Sequence, residues 1–185
     1  MLARGGLLDL IQWIDNYILI LIQEHIVNNI LNNVMVFVTT LGNYGAIWIA
    51  IAILLLISKE YRKYGWLLII SLLLCGLIGS IILKPTIARV RPFDFNNIFE
   101  ILIQKPRDYS FPSGHTMSAF AAASILFYMN KNIGRCAYLL AALIAFSRLY
   151  LYVHYPSDVL VGLILGVFLS SIVIKVNKII EINKE

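Results

Sequence analysis

An all-α, polytopic membrane helix bundle is the fold class that the sequence predicts, and two observations carry it. Of 185 residues, 60% are hydrophobic and 14% charged, with a mean hydropathy of +0.83; this lies outside the range of water-soluble domains and makes the bilayer the solvent. The apolar residues also fall in runs, at 41–58, 65–83, 114–129, 134–153 and 157–174. Each run is close to the roughly 17–25 residues that cross a hydrocarbon core, where only helices or closed barrels satisfy their backbone. Five crossings are expected in a single domain over residues 1–185, with interfacial helices in 1–40 and the helical core in 41–176.

The elements follow in order. Segment 7–23 is apolar, but Asp9, Gln12 and Asp15 interrupt it, and a mid-bilayer Asp costs about 2.5–3.5 kcal/mol. Segment 26–40 sets Asn28, Asn29, Asn32 and Asn33 against a stripe of Ile26, Ile30, Val34 and Phe37. Both are expected to be amphipathic helices lying in the outer interface. Asp9 and Asp15 also break any signal-peptide core. Run 65–83 ends at Lys84-Pro85, and a residue before proline disfavours the α region, so that helix is expected to stop or bend there. Run 114–129 follows the one long loop, 85–112, and opens on Pro112-Ser113-Gly114-His115. Proline and serine suit a helix start, and glycine admits a ligand close to the backbone. Pro156 separates His154 from Asp158, so one helix should end near His154 and the next begin at Pro156. Asp158 then lies in a first turn, where the helix dipole favours a carboxylate. Gly162 with Gly166, and Gly76 with Gly79 and Ser80, read as close-packing positions within the bundle.

Orientation rests on the cations. With Lys59, Arg62, Lys63, Lys131, Arg135, Lys175, Lys178 and Lys184 inside, eight of the 15 Lys and Arg are cytoplasmic and seven are not. Setting aside Lys84, Arg91 and Arg148, which have a site role, leaves eight against four, and the positive-inside rule selects this orientation. The N-terminus is then outside and the C-terminus cytoplasmic. Cys75 lies about 16 Å into its helix at 1.5 Å per residue, far from Cys136 near a cytoplasmic end, so no disulfide is expected. His25, His115 and His154 are scattered and no CxxC or HxxxH occurs; no metal or other cofactor is expected. Repeats and long charge runs are absent, and no nucleic-acid partner is expected. These patterns do not specify the oligomeric state.

Three polar constellations interrupt the apolar chain: Lys84…Arg91-Pro92, Pro112-Ser113-Gly114-His115, and Ser147-Arg148…His154…Asp158. A separation of seven returns Lys84 and Arg91 to almost one helical face, where two cations suit a phosphate. Alone, the pair would read as snorkelling interfacial cations. The N–H groups of a helix opening at Ser113 and Gly114 favour an anion, and His115 beside it suits a general acid. An ionised Asp158 bonded to one nitrogen of His154 would hold the other free as a nucleophile. Arg148 breaks an apolar run about six residues from its outer end, where a bound phosphate is the natural partner for an otherwise costly charge.

These eleven residues resemble, without a departure, the three signature motifs KxxxxxxRP, PSGH and SRxxxxxHxxxD of the type 2 phosphatidic-acid phosphatase superfamily; soluble vanadium haloperoxidases share the pattern, and the hydrophobicity of the chain selects the membrane lipid-phosphatase branch. The resemblance covers Lys84 to Asp158. It implies that His154 attacks phosphorus to give a phosphohistidine, oriented by Asp158. It implies also that Lys84, Arg91, Ser113, Gly114 and Arg148 hold the phosphoryl oxygens, while His115 protonates the leaving oxygen and later activates water. Cations and backbone dipoles can stabilise the equatorial oxygens without a metal.

The expected function is metal-independent dephosphorylation of a membrane lipid phosphate or diphosphate at the extracytoplasmic face of the plasma membrane. Undecaprenyl diphosphate is favoured, because Arg89, Lys105 and Arg107 read as spare cations near the entrance, and the apolar loop Phe93 to Ile103 reads as a guide for the chain. The alternatives are a phosphatidic acid or phosphatidylglycerol phosphate phosphatase, a lipid phosphotransferase, and a non-catalytic lipid-binding or transport protein.

Overall fold

The computed structural model describes residues 6–96 and 98–183, and every regular element among them is helical. Lys184, one of the cations counted above, lies outside the described residues. Helices α1 (Leu7–His25) and α2 (Asn29–Leu41) precede α3 (Ala46–Ile57) and α4 (Arg62–Cys75). The last of these runs through a π-helical stretch, Gly76–Leu83, into the single turn α5 (Lys84–Ile87). The turn α6 (Pro92–Phe95) sits in the long loop, and α7 (Gly114–Met129), α8 (Lys131–Tyr150) and α9 (Pro156–Ile182) complete the bundle.

Helix α7 is the axis, packed against α4, α8 and α9. Its residues Ala119, Ala121, Ala122, Ala123 and Ile125 are fully buried, because it is apolar all round and has protein on every side. Alanine and glycine let the neighbours come close. A Cβ on Gly166 of α9 would stand 2.3 Å from the Met117 carbonyl oxygen, and one on Gly162 would stand 2.8 Å from that of Ser113. Gly79 is similarly tight against Met117, whereas a Cβ on Gly76 would meet nothing within 4 Å. Gly76 and Ser80 line a cavity instead of a helix contact, which corrects their reading as packing positions.

Three helical stretches are long and apolar enough to cross a membrane: Arg62–Phe95, Lys131–Tyr150 and Pro156–Ile182. A fourth qualifies only as a pair, Asn29–Leu41 with Asn43–Ile57, bent by 44°. The sequence puts the start of that crossing at 41. Its 12-residue α3 is only about 18 Å long at 1.5 Å per residue, so α2 supplies the remainder across a 3₁₀ turn, Asn43–Gly45, with Tyr44 and Gly45 at φ 52° and 70°. Helix α7 has 16 residues and is sheathed by its neighbours.

One expectation is corrected in part, and the membrane-insertion cost assigned to Asp15 is superseded. The helix does not end at Lys84-Pro85 but continues to Ile87 and stops at Ala88, at φ 50°. The preceding π turn has already shifted the hydrogen-bond ladder, which accommodates the missing proline N–H. On α1, Asp15 does not face lipid: it is buried while Leu7, Leu8, Trp13 and Tyr17 are exposed. The insertion penalty assigned to it lapses because its charge is paired inside the protein.

At the end of the bundle remote from the three motifs, Lys63 pairs with Glu181 at 2.6 Å, and Lys63 and Lys178 both lie over the Tyr128 ring. Of the cations read as cytoplasmic, Lys63, Lys131 and Lys178 thus gather at one end of the bundle. Both cysteines are free.

Candidate active site

The two cations of the first motif meet on a carboxylate that sequence reading missed. Lys84 Nζ donates to Asp108 Oδ2 at 2.5 Å and to the Tyr109 carbonyl at 2.8 Å. Arg91 Nη2 donates to Asp108 Oδ1 at 2.7 Å, and its Nε to the Asp108 carbonyl at 2.8 Å. The helix is interrupted at Ala88, so Lys84 and Arg91 converge through the loop and Asp108 instead of sharing a helical face. Burial pushes the Asp108 carboxyl up, but Lys84 and Arg91 outweigh it and hold it down at about 2.

Between α8 and α9 the chain turns through Tyr152 at φ 57°, a strained conformation for a non-glycine residue next to the site. This turn buries His154 to 1% exposure. Its Nδ1 stands 3.5 Å from Asp158 Oδ2, and Arg91 Nη1 lies 3.2 Å from Nε2. A guanidinium only donates, so Nε2 carries the lone pair and Nδ1 the proton, a tautomer assigned from the bonding pattern. Burial first, then Arg91, Arg148 and Lys84, hold the His154 pKa well below 6.5. The ring is a neutral base with its nucleophilic nitrogen directed at the cations. Asp158, fully buried, accepts on Oδ2 from Ser110 Oγ at 2.5 Å and from the Tyr155 N–H at 3.0 Å.

Arg148 is 2% exposed. Its Nη1 donates to the Thr39 hydroxyl of α2, while its Nε has no hydrogen-bond partner among the described residues. His115 Nε2 is 3.0 Å from Asn43 Oδ1. The ring fits because residue 42 is glycine: a Cβ there would be 2.8 Å from His115 Cδ2. Ser113 behaves differently from its companions. Its hydroxyl is 2.9 Å from that of Thr116 and accepts from the Thr116 N–H, capping α7, so it stands behind the cavity wall.

A cavity of about 1280 Å³ joins these groups. Lys84, Arg91, Gly114, His115, Arg148 and His154 line its polar part, Lys105 and Arg107 its rim, and Ile49, Ile69, Leu72 and Leu73 of α3 and α4 an apolar extension. Of the loop Phe93 to Ile103, Leu102 and Ile103 line the same cavity, so the apolar surface beside the site is shared between the end of that loop and α3 and α4. Phe93 is buried, and Phe99, Ile101 and Ile103 pack with it on Tyr150 to Tyr155, since apolar loop side chains remove more surface from water against each other than alone. Arg89 is not a spare cation either; it is bound to Asp158 and Asp15.

Asp108, Asn43, Ser110 and Asp15 are the polar partners that sequence reading did not place in the site. One signal was available for the carboxylates. The chain has only ten Asp and Glu, and buried cations require counter-charges.

A family model described as the PAP2 superfamily matches residues 64–180. The chain belongs to the PAP2 superfamily. An undecaprenyl-diphosphatase of Sulfolobus acidocaldarius is 37% identical over 157 residues, covering 83% of this chain and 74% of that one. Among solved structures, Aquifex aeolicus LpxE superposes with TM-score 0.78 at 29% identity, covering 88% of this chain and 95% of the other. A PAP2-type phosphatidylglycerolphosphate phosphatase from Bacillus subtilis gives TM-score 0.78 at 28% identity, covering 92% and 87%. This protein is a multi-pass membrane lipid phosphatase of PAP2 type.

Proposed function

We propose that this PAP2 phosphatase dephosphorylates a lipid diphosphate, with undecaprenyl diphosphate as the favoured substrate, at the extracytoplasmic face of the plasma membrane. The observation that carries the reading is Arg148: a cation at 2% exposure whose Nε lacks a partner among the described residues, on the wall of a cavity shared with Lys84, Arg91 and His154. A phosphoryl group supplies the missing acceptor and draws Arg91 away from His154 Nε2. His154 then attacks phosphorus, forming an N–P bond as the bond to the leaving oxygen breaks. His115 gives that oxygen its proton. Afterwards His115 takes a proton from water, whose oxygen attacks the phosphohistidine, releasing inorganic phosphate and restoring His154. Lys84, Arg91, Arg148 and the Gly114 backbone hold the equatorial oxygens, with Ser113 fixing the helix end that presents Gly114. Asp158 orients His154. No step calls on a metal.

The apolar extension between α3 and α4 supports a lipid, since a phosphate alone needs a small fraction of the cavity. Lys105 and Arg107 at the rim suit a second anionic group. The Sulfolobus relative's name supports the polyprenyl diphosphate. The side of the membrane is supported by the cations gathered at the far end of the bundle.

Phosphate release by the purified protein from undecaprenyl diphosphate, phosphatidic acid and phosphatidylglycerol phosphate in one detergent tests the proposal. A kcat/KM highest for the diphosphate is expected, and it should survive EDTA. A tenfold preference for a glycerophospholipid, about 1.4 kcal/mol at the transition state, overturns the substrate. Transfer to an acceptor lipid in place of water identifies a phosphotransferase, and binding without release identifies a lipid-binding protein.

A further inference from the structure

We propose that Asp15, on the N-terminal helix α1, is a positioning residue for the reaction and acts through Arg89 on Asp158. This rests on the phosphatase reading above and extends it to a helix outside residues 64–180, the part matched by the family model.

Asp15 is 2% exposed and every bond it makes leads toward the site. Its Oδ2 accepts from Arg89 Nη2 at 2.7 Å. Ser157 donates to the same carboxylate twice, its backbone N–H to Oδ1 at 2.8 Å and its hydroxyl to Oδ2 at 2.5 Å. Gln12, one turn earlier on α1, accepts from Arg89 Nη2 at 2.7 Å. The other end of the guanidinium, Nη1, donates to Asp158 Oδ1 at 2.6 Å and to Ser157 Oγ at 2.7 Å. Below it lies the Tyr155 ring, with Arg89 Cζ 4.0 Å from the centroid.

The consequence is a division of the Asp158 carboxylate. Arg89 takes Oδ1, which leaves Oδ2 for Ser110, the Tyr155 N–H and the imidazole of His154. A fully buried carboxylate needs a counter-charge held in place, and Arg89 retains a route to solvent, with 18% of its side chain exposed. Asp15 and Gln12 tether the guanidinium so that it stays on Asp158 instead of swinging out by that route. Asp15 also binds an N–H in the first turn of α9, one of the donors that a helix cannot satisfy internally. Helix α1 therefore fixes both the angle at which α9 begins and the orientation of the carboxylate that aligns the nucleophile.

The test is steady-state kinetics of the full-length protein in detergent, with inorganic phosphate as competitive inhibitor. Asp15→Asn should lower kcat about 10–100-fold, the usual effect of removing an orienting partner. KM and the phosphate inhibition constant should stay within about twofold, because neither Asp15 nor Arg89 lines the polar part of the cavity, and Asp15→Glu should recover part of the loss. In an Asp158→Asn background the same Asp15→Asn change should have almost no further effect, since residues acting through one another are not additive. A general structural role predicts the reverse: comparable losses in both backgrounds, with weakened phosphate binding. If Asp15→Asn does not accumulate, Gln12→Ala loosens the same guanidinium from a partly buried site and should lower kcat threefold or more at constant KM. An active wild type with unchanged kcat in the variant overturns the positioning role alone. A wild type that releases no phosphate from any lipid overturns the phosphatase mechanism with it.

Discussion

His154 is surrounded by influences of one sign: burial, Arg91, Arg148 and Lys84 all disfavour its protonated form. Its folded pKa lies below the unfolded value of 6.5, so the neutral ring's contribution to stability is complete above about pH 6.5 and is lost as pH falls through the folded value. In the free enzyme, [15N]histidine spectra should show no protonation of His154 between pH 7.5 and 6; a transition near 6.5 would contradict the burial and charge argument. Asp108 shows the complementary case, with a folded pKa of about 2 against an ordinary 3.8. Its ionised form contributes above about pH 4 and is lost toward pH 2, so Asp108→Asn should leave the pH–rate profile unchanged in shape between pH 5 and 8. The same variant removes an anion from Lys84 and Arg91. Inorganic phosphate should consequently bind at least about threefold more tightly, whereas weaker binding would mean that Asp108 holds the cations in place. For the reacting groups, His154→Ala should abolish turnover. His115→Ala should retain phosphate binding and lose about 10²–10⁴-fold in rate, and near-wild-type activity in either variant would falsify the role proposed for that residue.

Between residues and fold stand the element ends, where the motif side chains are actually placed. The 3₁₀ turn Asn43–Gly45 hands α2 to α3 and at the same time brings Asn43 to His115. Gly42 gives that ring its space, since a Cβ would come within 2.8 Å of His115 and 3.1 Å of Ile144. Gly42→Ala should thus lower kcat at least tenfold by displacing the ring, with the melting temperature little changed, because one side chain at the cavity wall can yield. Gly166 lies in a different setting. Its neighbour at 2.3 Å is the backbone of α7, which cannot yield without parting two helices. Gly166→Val should therefore destabilise the fold by about 1–3 kcal/mol or more, read as a fall in melting temperature in detergent. A variant as stable as wild type would show that α7 and α9 pack less closely than described.

At the scale of the molecule, the bundle is polarised. The site, the rim cations Lys105 and Arg107 and the N-terminal helix occupy one end, and Lys63, Lys131 and Lys178 the other, stacked on Tyr128 and Phe127. In a background lacking Cys75 and Cys136, a cysteine replacing the 98% exposed Tyr44 should react with an impermeant reagent in intact cells. One replacing Glu60, in the α3–α4 turn, should react only after permeabilisation. The opposite pattern would invert the proposed orientation.

The sequence by itself determined the all-helical membrane architecture, the loop break at Pro156 that puts Asp158 in a first turn, and the motif residues that line one cavity. Each is a local or compositional property: hydropathy along the chain, the geometry of proline, fixed residue spacings. Tertiary structure decided the partnerships. Nothing local to Arg89 distinguishes a spare cation from one locked between Asp15 and Asp158, 74 and 69 residues away. Asp108 meets Lys84 across 24 residues of chain, through a loop whose path depends on Phe93 and its neighbours burying one another. Asp15 reads as a barrier to a membrane crossing when its cost is reckoned against lipid. Inside the fold its surroundings are a guanidinium and a helix end, and those were set by the packing of α1 against α9.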